Sequence, residues 1–493
     1  MNRQLVRLAI AALLLLAALI GGTTYWQAWA AADLQAKQDN AIQRVADFQI
    51  RRGLIWAGPQ RFPLAADVKQ RIKGNTFYFR RYVHSGLLAQ TVGYSTRTET
   101  QAGLERSLND YLTGSAVSLN TILDKLKGAT VRGDNVQLTI DPRAQQVALN
   151  ALGGRCGAVA AIEPATGKVL VLASSPTFDQ NKAGSAPYLA KLNRQRAQCG
   201  VAAPLVNRAT DGLFTPGSTF KVVTLSAALD TGKYNPDSQF FDPGYCEEYG
   251  KHVSNAGNPD QNGPEQYGQV NLVAGFQHSI NSVFCNIGKA LGAGTILDYA
   301  KRFGFYRKPP LETPENTRSA SGLYDHGKLF DPKHPDSQVD PGRLAFGQER
   351  LQVTPLQMAM IASGIADNGI VMRPYVVDKV LASSGSTVFT THPDKLSRAV
   401  SPQTAAAVTS MMVAVVQGGT GTHAQIPGIQ VAGKTGTAET GVGRIYTAWF
   451  IAFAPAENPK IAVAVVLEHQ ENGFGGAVAA PIAKQVIETY LRK

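Results

Sequence analysis

The sequence predicts an α+β fold in which helices flank an antiparallel sheet, preceded by a smaller N-terminal domain and one membrane-spanning helix. Three observations predict it: a long uncharged N-terminal stretch, two pairs of apolar β-type runs far apart in the chain, and helical patterns between and after them. At 493 residues the chain is long enough for two or three domains with at least one large core. We predict an anchor over residues 1–30, a pedestal or dimerisation-type domain over 31–150 and the larger domain over 151–493.

The overall composition indicates a folded, loop-rich protein. Hydrophobic residues make up 44% of the chain and charged residues 17%, and no low-complexity tract interrupts it. The net charge of +12 would suit a nucleic acid, an anionic membrane surface or a phosphate-bearing substrate. Because the chain has no dense Lys/Arg run and no nucleic-acid-binding motif, we predict no nucleic-acid partner.

The amino terminus has the pattern of a membrane-spanning helix. No charged residue lies between Arg7 and Asp33, and the wholly apolar stretch Leu8–Ile20 with the residues after it is long enough to cross a bilayer once. Arg3 and Arg7 precede this stretch, and no basic residue follows it before Lys37. The positive-inside tendency therefore predicts a single-pass cell-membrane protein with a cytoplasmic amino terminus and the bulk of the chain extracytoplasmic.

Aromatic and small residues follow the apolar stretch. Tyr25, Trp26 and Trp29 would lie at the outer membrane interface, which favours an uncleaved anchor. A cleaved signal peptide is the alternative, because Ala28-Trp29-Ala30 is an A-x-A-like site after an apolar core of 13 residues. The two interpretations differ in whether the mature protein keeps its membrane helix.

Two hairpins define the predicted sheet. The runs Gly157–Ile162 and Lys168–Ala173 are apolar and separated by a turn that ends in Gly, and the runs Thr447–Ala454 and Ile461–Leu467 repeat this arrangement near the far end of the chain. Both pairs are apolar enough to be buried. We expect them to share one antiparallel sheet, covered by terminal helices.

Helix signals occur before, between and after these hairpins. Asp141-Pro142 opens a helical pattern that runs to Leu152 and marks the junction between the domains. Thr354 is a predicted N-cap with Pro in the first turn and Gln357 completing a capping box, and this helix should stop near Asn368-Gly369. A last helix is predicted from about Val478 to Arg492.

The cysteine count permits a disulfide framework. Cys156, Cys199, Cys246 and Cys285 lie about forty residues apart with no C-x-x-C pair, so we predict neither a metal site nor a dithiol redox motif. In an extracytoplasmic setting four cysteines can form two disulfides in three pairings. Proximity in sequence favours Cys156 with Cys199 and Cys246 with Cys285.

The segment Ser218-Thr219-Phe220-Lys221 contains the candidate nucleophile and base. It occurs once as an S-x-x-K motif, after Pro216-Gly217 and before an apolar run, so Ser218 is predicted to open a helix. Residues three apart share one helix face, which brings the amine of Lys221 within reach of the Ser218 hydroxyl. Lysine can act as a base only if burial or a nearby cation lowers its pKa.

A second element, Lys434-Thr435-Gly436-Thr437, also occurs once. On a sheet edge beside the nucleophile, Lys434 would supply a fixed positive charge that also lowers the pKa of Lys221. The hydroxyls of Thr435 and Thr437 could bind a substrate carboxylate, and Gly436 would allow close backbone approach. Alone, this segment would be a basic turn between strands.

The third element, S-x-N, occurs three times, at Ser107–Asn109, Ser118–Asn120 and Ser279–Asn281. We select Ser279 and Asn281 because they lie between the other two motifs within the larger domain. Ser279 could pass a proton to a departing amine, and the Asn281 amide could hold both a lysine side chain and a substrate amide. The neighbouring His278 has no carboxylate partner in the sequence pattern and is interpreted as a packing or surface residue.

The order S-x-x-K, S-x-N, K-T-G resembles the motif set of penicillin-binding proteins and serine β-lactamases. The resemblance extends from the Gly157 hairpin through Phe346-Gly347-Gln348 to the carboxy-terminal helix. With its single anchor, the chain looks like a class B penicillin-binding protein, closest to the actinobacterial penicillin-binding protein A branch. The resemblance implies a penicillin-binding/serine β-lactamase-like transpeptidase fold for the larger domain.

That resemblance also implies the reaction. Ser218 would attack the D-Ala-D-Ala carbonyl of a peptidoglycan stem peptide, an amine of a neighbouring stem would resolve the acyl-enzyme, and β-lactams would inhibit it. The backbone N–H groups of Ser218 and Thr437 would form the oxyanion hole. The implied partner is a membrane glycosyltransferase of the shape, elongation, division and sporulation family, and no cofactor is expected. The sequence departs from the family at Ile280, where small residues are frequent.

Other members of the superfamily remain as alternatives. A bifunctional class A enzyme needs a glycosyltransferase domain, for which the 31–150 region is too short. A β-lactamase needs a deacylating base, and Glu312-Thr313-Pro314-Glu315-Asn316, the nearest string to E-x-x-L-N, lacks the Leu. A D,D-carboxypeptidase and a non-catalytic penicillin-binding sensor or scaffold stay open, as do the acceptor amine and the choice between division and elongation.

Overall fold

The computed structural model describes residues 2–26, 48–97, 100–115, 132–248, 250–256, 265–440 and 443–492. Ala28-Trp29-Ala30 and the candidate Ser118–Asn120 lie outside these residues. Within them, the α-helices in chain order are α1 (Asn2–Thr24), α2 (Ala89–Val92), α3 (Gly103–Ser107), α4 (Asn109–Thr113), α5 (Pro142–Leu152), α6 (Ala186–Arg194), α7 (Lys221–Asp230), α8 (Leu272–Gln277), α9 (Asn281–Leu291), α10 (Ala293–Arg302), α11 (Pro335–Gln338), α12 (Pro341–Ala345), α13 (Pro355–Ala366), α14 (Pro402–Gly418), α15 (Gly475–Val478) and α16 (Ala480–Leu491).

The strands form one large sheet in each half of the protein and several short pairs. In chain order they are β1 (Ile55–Ala57), β2 (Phe62–Ile72), β3 (Asn75–Tyr82), β4 (Asn135–Leu138), β5 (Gly157–Ile162), β6 (Val169–Ser175), β7 (Arg196–Ala197), β8 (Gly200–Val201), β9 (Gln239–Asp242), β10 (Tyr245–Glu248), β11 (Lys251–Ser254), β12 (Gly268–Asn271), β13 (Gly322–Asp325), β14 (Lys328–Leu329), β15 (Leu351–Gln352), β16 (Ile370–Met372), β17 (Val377–Leu381), β18 (Thr387–Thr390), β19 (Lys395–Arg398), β20 (Ala432–Glu439), β21 (Ile445–Ala454) and β22 (Ile461–Glu471).

The two predicted hairpins share one antiparallel sheet, as expected. Its order is β20-β21-β22-β5-β6, and β22 joins the hairpins by pairing with β5, for example Val465 opposite Val159. Successive side chains of a strand point to opposite faces. Accordingly Ala158 and Ala160 belong to the core on one face, and Val159 and Ala161 to the core on the other. The continuous apolar runs therefore reflect a sheet buried on both sides.

Helices cover both faces of this sheet. The junction helix α5 and the final helix α16 pack together on one face, and α13 lies across the opposite face. The apolar side chains they bury contribute roughly 1.5–3 kcal/mol each, which fixes the sheet as a rigid platform. The edge strand β20 lies at the open end of this platform, beside the helical part of the domain.

Helix α13 confirms one predicted start signal and corrects another. The Thr354 side chain accepts a hydrogen bond from the Gln357 N–H at 3.1 Å, so the predicted N-cap is present. The predicted capping box is wrong, because the Gln357 side chain donates to Phe303 O at 2.7 Å. The Thr354 N–H donates instead to Ser321 Oγ at 3.0 Å. The NH₂ group of the buried Gln357 side chain therefore binds a distant carbonyl and not the start of its own helix.

The N-terminal half is built on a six-stranded sheet in the order β18-β17-β4-β1-β2-β3. Strands β17 and β18 come from the region 377–390, so this sheet combines chain from both sides of the predicted boundary at residue 150. Beneath it lies a buried charge cluster in which Glu105 binds Arg52 and Arg80, and Arg80 also binds Asp67. The domain bounds stay a prediction, since backbone hydrogen bonds cross them.

Two disulfides and one apolar helix complete the described architecture. Cys156 is bonded to Cys199 and Cys246 to Cys285, with Cα–Cα distances of 6.0 and 6.4 Å, the pairs that proximity in sequence favours. Helix α1 contains a span, Val6–Thr24, that is long and apolar enough to cross a membrane, with a mean hydropathy of 2.2. This fits a single-pass membrane protein.

Candidate active site

Ser218 lies in a 3₁₀ turn, Gly217–Phe220, that leads directly into helix α7. In a 3₁₀ turn, side chains three residues apart lie one above the other, which aligns Ser218 with Lys221. Gly217 has a positive φ of 53°, and a Cβ there would lie 2.9 Å from the Thr437 carbonyl oxygen. Glycine therefore lets the turn enter at this angle and contact the K-T-G strand. Ser218 is half-buried, whereas Lys221 is completely buried.

The amine of Lys221 connects the first and third motifs. Its Nζ donates to Ser279 O at 2.6 Å and to Asn281 Oδ1 at 2.8 Å, with a longer contact of 3.4 Å to Ser279 Oγ. The Phe284 ring lies 5.2 Å from Nζ. Burial, and then the charge of Lys434, hold the pKa of Lys221 well below its ordinary value. Lys221 therefore loses its proton more readily than an exposed lysine and is suited to accept one from a serine hydroxyl.

The two short bonds of Lys221 also orient its lone pair. A neutral lysine amine has two N–H groups, and these are matched by Ser279 O and Asn281 Oδ1. The remaining lone pair is then available to a group elsewhere around the nitrogen. Since Ser218 is stacked one 3₁₀ turn before Lys221, its hydroxyl is suited to be that group.

The S-x-N segment begins helix α9. Ser279 adopts a left-handed backbone with φ of 60°, which is uncommon for a residue with a side chain and costs on the order of 1–3 kcal/mol. This conformation accompanies the contacts of both its carbonyl and its hydroxyl with Lys221. Ile280, at which the sequence departs from the family pattern, is 1% exposed and packs in the hydrophobic core.

The other described S-x-N candidate lies elsewhere. Ser107 ends helix α3 and Asn109 accepts hydrogen bonds from Arg52 and Gln101 in the N-terminal half. The structure therefore brings only Ser279 and Asn281, among the described candidates, to Lys221.

Strand β20 forms the opposite wall and carries the K-T-G segment. A Cβ on Gly436 would lie 2.8 Å from both Pro216 O and Thr219 Cγ2. The strand and the nucleophile turn therefore touch at a position where only glycine fits. Behind the turn, Trp449 Nε1 donates to Thr215 O at 3.0 Å and ties the nucleophile loop to the sheet.

Lys434 is fully buried, in contrast to the fixed positive charge that the sequence suggested. Its Nζ donates to Thr435 O at 3.2 Å and lies 5.5 Å from the Phe276 ring. Burial lowers the pKa of Lys434 to about 7. In the free protein its charge therefore depends on pH near neutrality, and an anionic ligand would stabilise the protonated form.

Thr435 and Thr437 of this strand are oriented by Thr420 and Gly475, which lie outside the three motifs. Thr435 Oγ1 lies 2.6 Å from Thr420 Oγ1, and Thr437 Oγ1 accepts from the Gly475 N–H at 3.2 Å. Because Thr437 Oγ1 accepts this bond, its O–H group remains available to donate to an anion. The doublet Gly418-Gly419 before Thr420 is a turn signal, but it does not reveal which strand the turn approaches.

His278 and the cysteines have structural environments. The His278 ring lies 5.2 Å from the Tyr267 ring, consistent with the packing role predicted for it. Two groups of potential metal ligands contain cysteine pairs, one with Glu468 and one with Glu248. In both groups the cysteine sulfurs are bonded to each other as disulfides, which removes the thiolates that bind a metal.

The fold and the three motifs define a serine acyltransferase of the penicillin-binding class. Residues 157–488 match the family model "Penicillin binding protein transpeptidase domain", and residues 52–136 match "Penicillin binding protein A dimerisation domain". The chain belongs to the penicillin-binding protein transpeptidase family.

Individual relatives cover the whole chain. It is 34% identical to the peptidoglycan D,D-transpeptidase PbpA of Mycolicibacterium smegmatis over 517 residues, covering 100% of both proteins. It also resembles the structure of penicillin-binding protein A from M. tuberculosis in a ceftriaxone acyl-enzyme complex, with a TM-score of 0.80, 34% identity, and coverage of 91% of this chain and 100% of the other. For the penicillin G acyl-enzyme complex of the same protein, the TM-score is 0.78 and the identity 35%, with coverage of 90% of this chain and 100% of the other.

Proposed function

We propose that this protein is a peptidoglycan D,D-transpeptidase that cross-links stem peptides through an acyl-enzyme on Ser218. One observation carries the proposal: the buried amine of Lys221, with its lowered pKa, is held by Ser279 O and Asn281 Oδ1 one turn from Ser218. A serine hydroxyl needs such a base to become a nucleophile. The names of the full-length relatives support stem peptides as the substrate, and acyl-enzyme complexes of a similar protein support β-lactam binding.

Acylation transfers one proton and exchanges one bond. The Ser218 hydroxyl gives its proton to the neutral Lys221 as its oxygen attacks the carbonyl carbon between the two D-Ala residues. As the tetrahedral intermediate collapses, the carbon–nitrogen bond breaks. The proton passes from Lys221 through the Ser279 hydroxyl, 3.4 Å away, to the departing D-Ala amine. The donor stem is left as an ester on Ser218.

Cross-linking reverses these roles. The amine of a second stem attacks the ester carbonyl and loses a proton toward Lys221. The Ser218 oxygen departs and regains a proton, leaving a new peptide bond between the stems. The same base therefore serves both half-reactions, because it starts each one neutral.

Strand β20 and the nucleophile turn would bind the substrate and stabilise the negative charge that develops during the reaction. The D-Ala carboxylate would be held by the Thr435 and Thr437 hydroxyls and by protonated Lys434. The backbone N–H groups of Ser218 and Thr437 would stabilise the oxyanion. The contact of Gly217 with the Thr437 backbone supports this pairing, because it brings the two segments together.

The location of the enzyme follows from the anchor. Helix α1 would hold the chain in the membrane with its amino terminus in the cytoplasm, so that the catalytic domain reaches peptidoglycan outside the membrane. A membrane glycosyltransferase of the shape, elongation, division and sporulation family is the proposed partner, because cross-linking requires newly polymerised strands.

The nucleophile is tested by covalent labelling. The full-length protein is incubated with fluorescent penicillin, and the labelled band is followed by gel with time. We expect stable labelling of the wild type and none of Ser218→Ala, whereas Ser410→Ala, at an exposed serine of α14 whose hydroxyl donates to Ala406 O at 3.2 Å, should still be labelled. Equal labelling of Ser218→Ala would remove Ser218 as the nucleophile, and rapid loss of wild-type label would indicate a β-lactamase.

The acceptor distinguishes the transpeptidase from a carboxypeptidase. A pentapeptide stem is supplied with and without an acceptor amine, and the products are identified by mass spectrometry. We expect a cross-linked product only in the presence of the amine. If free D-Ala and tetrapeptide are the sole products in both reactions, the enzyme is a carboxypeptidase.

A further inference from the structure

A buried carboxylate lies close to the S-x-N segment without belonging to any of the three motifs. Asp242, the last residue of β9, is 1% exposed. It accepts hydrogen bonds from Gly244 N at 2.9 Å, Asn255 Nδ2 at 2.9 and 3.0 Å, Tyr267 N at 2.9 Å and the Ser282 hydroxyl. Four groups from separate segments therefore converge on one carboxylate, which the described residues balance with hydrogen bonds and not with a salt bridge.

This carboxylate fixes the orientation of Asn255. An ionised carboxylate only accepts hydrogen bonds, so the Asn255 amide must turn its NH₂ group toward Asp242. The Asn255 Oδ1 atom then faces the Ser282 N–H, from which it accepts at 3.0 Å at the start of helix α9. Asn255 is itself buried, with 6% of its surface exposed, and its Nδ2 also donates to Glu265 O at 2.9 Å, so Asp242 and this carbonyl hold the NH₂ group together.

Ser254, the residue before Asn255, connects this hydrogen-bonded cluster to the active site. Ser254 O accepts from Asn281 Nδ2 at 3.0 Å, which turns Asn281 Oδ1 toward Lys221 Nζ at 2.8 Å. An amide that flipped would present NH₂ to the amine in place of an oxygen. The orientation of Asn281 therefore depends on where the Ser254 carbonyl is held.

We propose that Asp242 is a positioning residue for the acylation step. It holds Asn255 and the neighbouring Ser254 carbonyl, which aim the Asn281 amide oxygen at Lys221 and so keep the lysine lone pair directed at Ser218. This inference rests on the proposed function, because it assigns the alignment of the same base. Asp242→Asn introduces a donor into a cluster of donors, and the Gly244 and Tyr267 backbone N–H groups cannot reorient to accept from it.

The test separates alignment from stability. The acylation rate constant at saturating penicillin and the dissociation constant for penicillin are measured for the full-length protein by rapid mixing. We expect Asp242→Asn to lower the rate constant by about ten- to a hundredfold with little change in the dissociation constant, the effect of a misplaced catalytic group. In an Asn281→Ala background the same substitution should cause no further loss, because its effect passes through Asn281.

Asp230→Asn is the matched control. Asp230 accepts comparable bonds from Ser401 N at 2.9 Å, Thr404 Oγ1 at 2.8 Å and Tyr299 OH at 2.9 Å, at the end of α7 opposite Lys221. Asp230→Asn should lower the melting temperature and leave the acylation rate constant unchanged.

If Asp242→Asn does not fold, Asn255→Ala interrupts the same route, and the same loss of rate is expected. A normal rate constant in a folded Asp242→Asn or Asn255→Ala variant, or a loss that adds to that of Asn281→Ala, overturns the inference. If the wild type itself is not acylated, the proposed function fails instead.

Discussion

Two lysines of the site, Lys221 and Lys434, are completely buried, and burial lowers the pKa of both. Lys221 is fully surrounded by apolar and polar groups of the helical wall, and burial together with the charge of Lys434 keeps the pKa of Lys221 far below that of a surface lysine. The pKa of Lys434 is lowered to about 7 by burial alone. The positive charge of Lys434 therefore disfavours protonation of Lys221. The productive form has Lys221 neutral and Lys434 protonated.

This pairing gives a prediction for the pH dependence of penicillin acylation. Acylation should rise as Lys221 deprotonates and fall above pH of about 7 as Lys434 loses the charge that binds the carboxylate. In Lys434→Arg the guanidinium stays charged, so the alkaline fall should disappear up to pH of about 9.5 even if the maximum rate is lower. The second-order rate constant for acylation, measured from about pH 5.5 to about pH 9.5, checks this.

The exposed-lysine variant Lys301→Arg is the control for the substitution. Lys301 pairs with Asp331 on the surface at 2.9 Å, away from the motifs. Its pH profile should match that of the wild type. A wild-type profile that stays flat above neutral pH would show that Lys434 does not titrate there.

At the scale of elements, the site depends on how closely β20 approaches the nucleophile turn. We expect Gly436→Ala to push the strand away, because its Cβ would lie 2.8 Å from Pro216 O and Thr219 Cγ2 and 3.1 Å from Thr219 N. Acylation by penicillin should fall at least about tenfold, since a displacement near 1 Å can cost more than that. The melting temperature should change by only a few degrees, corresponding to about 1–3 kcal/mol of overpacking.

Gly418→Ala is the matched substitution for this prediction. Gly418 is the last residue of α14, and a Cβ there meets only the flexible Gln277 side chain at 3.3 Å. Its acylation rate should equal that of the wild type. Equal rates for Gly436→Ala and Gly418→Ala would mean that the close approach is not required for the reaction.

Local signals account for much of the fold and for the motifs. Turn glycines and prolines predicted the hairpins, and Thr354 predicted the start of α13, because these signals act within a few residues. The pairing of β4 with β17 could not be predicted, as Gln137 and its partner Asp378 lie 241 positions apart. Burial of Lys434 and the convergence of donors on Asp242 likewise arise from distant segments that leave no local pattern.

For the whole molecule, the shared six-stranded sheet links the N-terminal half to the catalytic half. Strand β4 pairs with β1 on one side and with β17 on the other, and β17 lies in the chain between α13 and α14. Separation of the halves would break this ladder and expose the buried Val136 and Val380. We therefore expect the two halves to unfold in one transition.

The charge cluster under that sheet provides the test. Glu105 is fully buried and accepts from Arg52 Nε at 3.0 Å and Arg80 Nε at 2.7 Å. Glu105→Gln would leave the Arg52 guanidinium without this anion and Arg80 with Asp67 alone, which costs about 3–5 kcal/mol. We expect one melting transition, shifted down as a whole, in the full-length protein. Penicillin acylation below that temperature should be unchanged, because Glu105 makes no contact with the motif residues among its described partners.

The lowered pKa of Glu105 also predicts that the protein loses stability in acid. Burial raises the pKa of Glu105, but the charges of Arg80 and Arg52 outweigh it and hold the pKa below its ordinary value. Its stabilising contribution is therefore present above the unfolded value of about 4.3 and is lost as pH falls below that. The melting temperature of the wild type should approach that of Glu105→Gln in acid. Glu488→Gln, which removes a surface pair with Arg492 at 3.9 Å, should leave the melting temperature and its dependence on pH unchanged. Two transitions, of which only the first shifts, would show that the halves unfold independently.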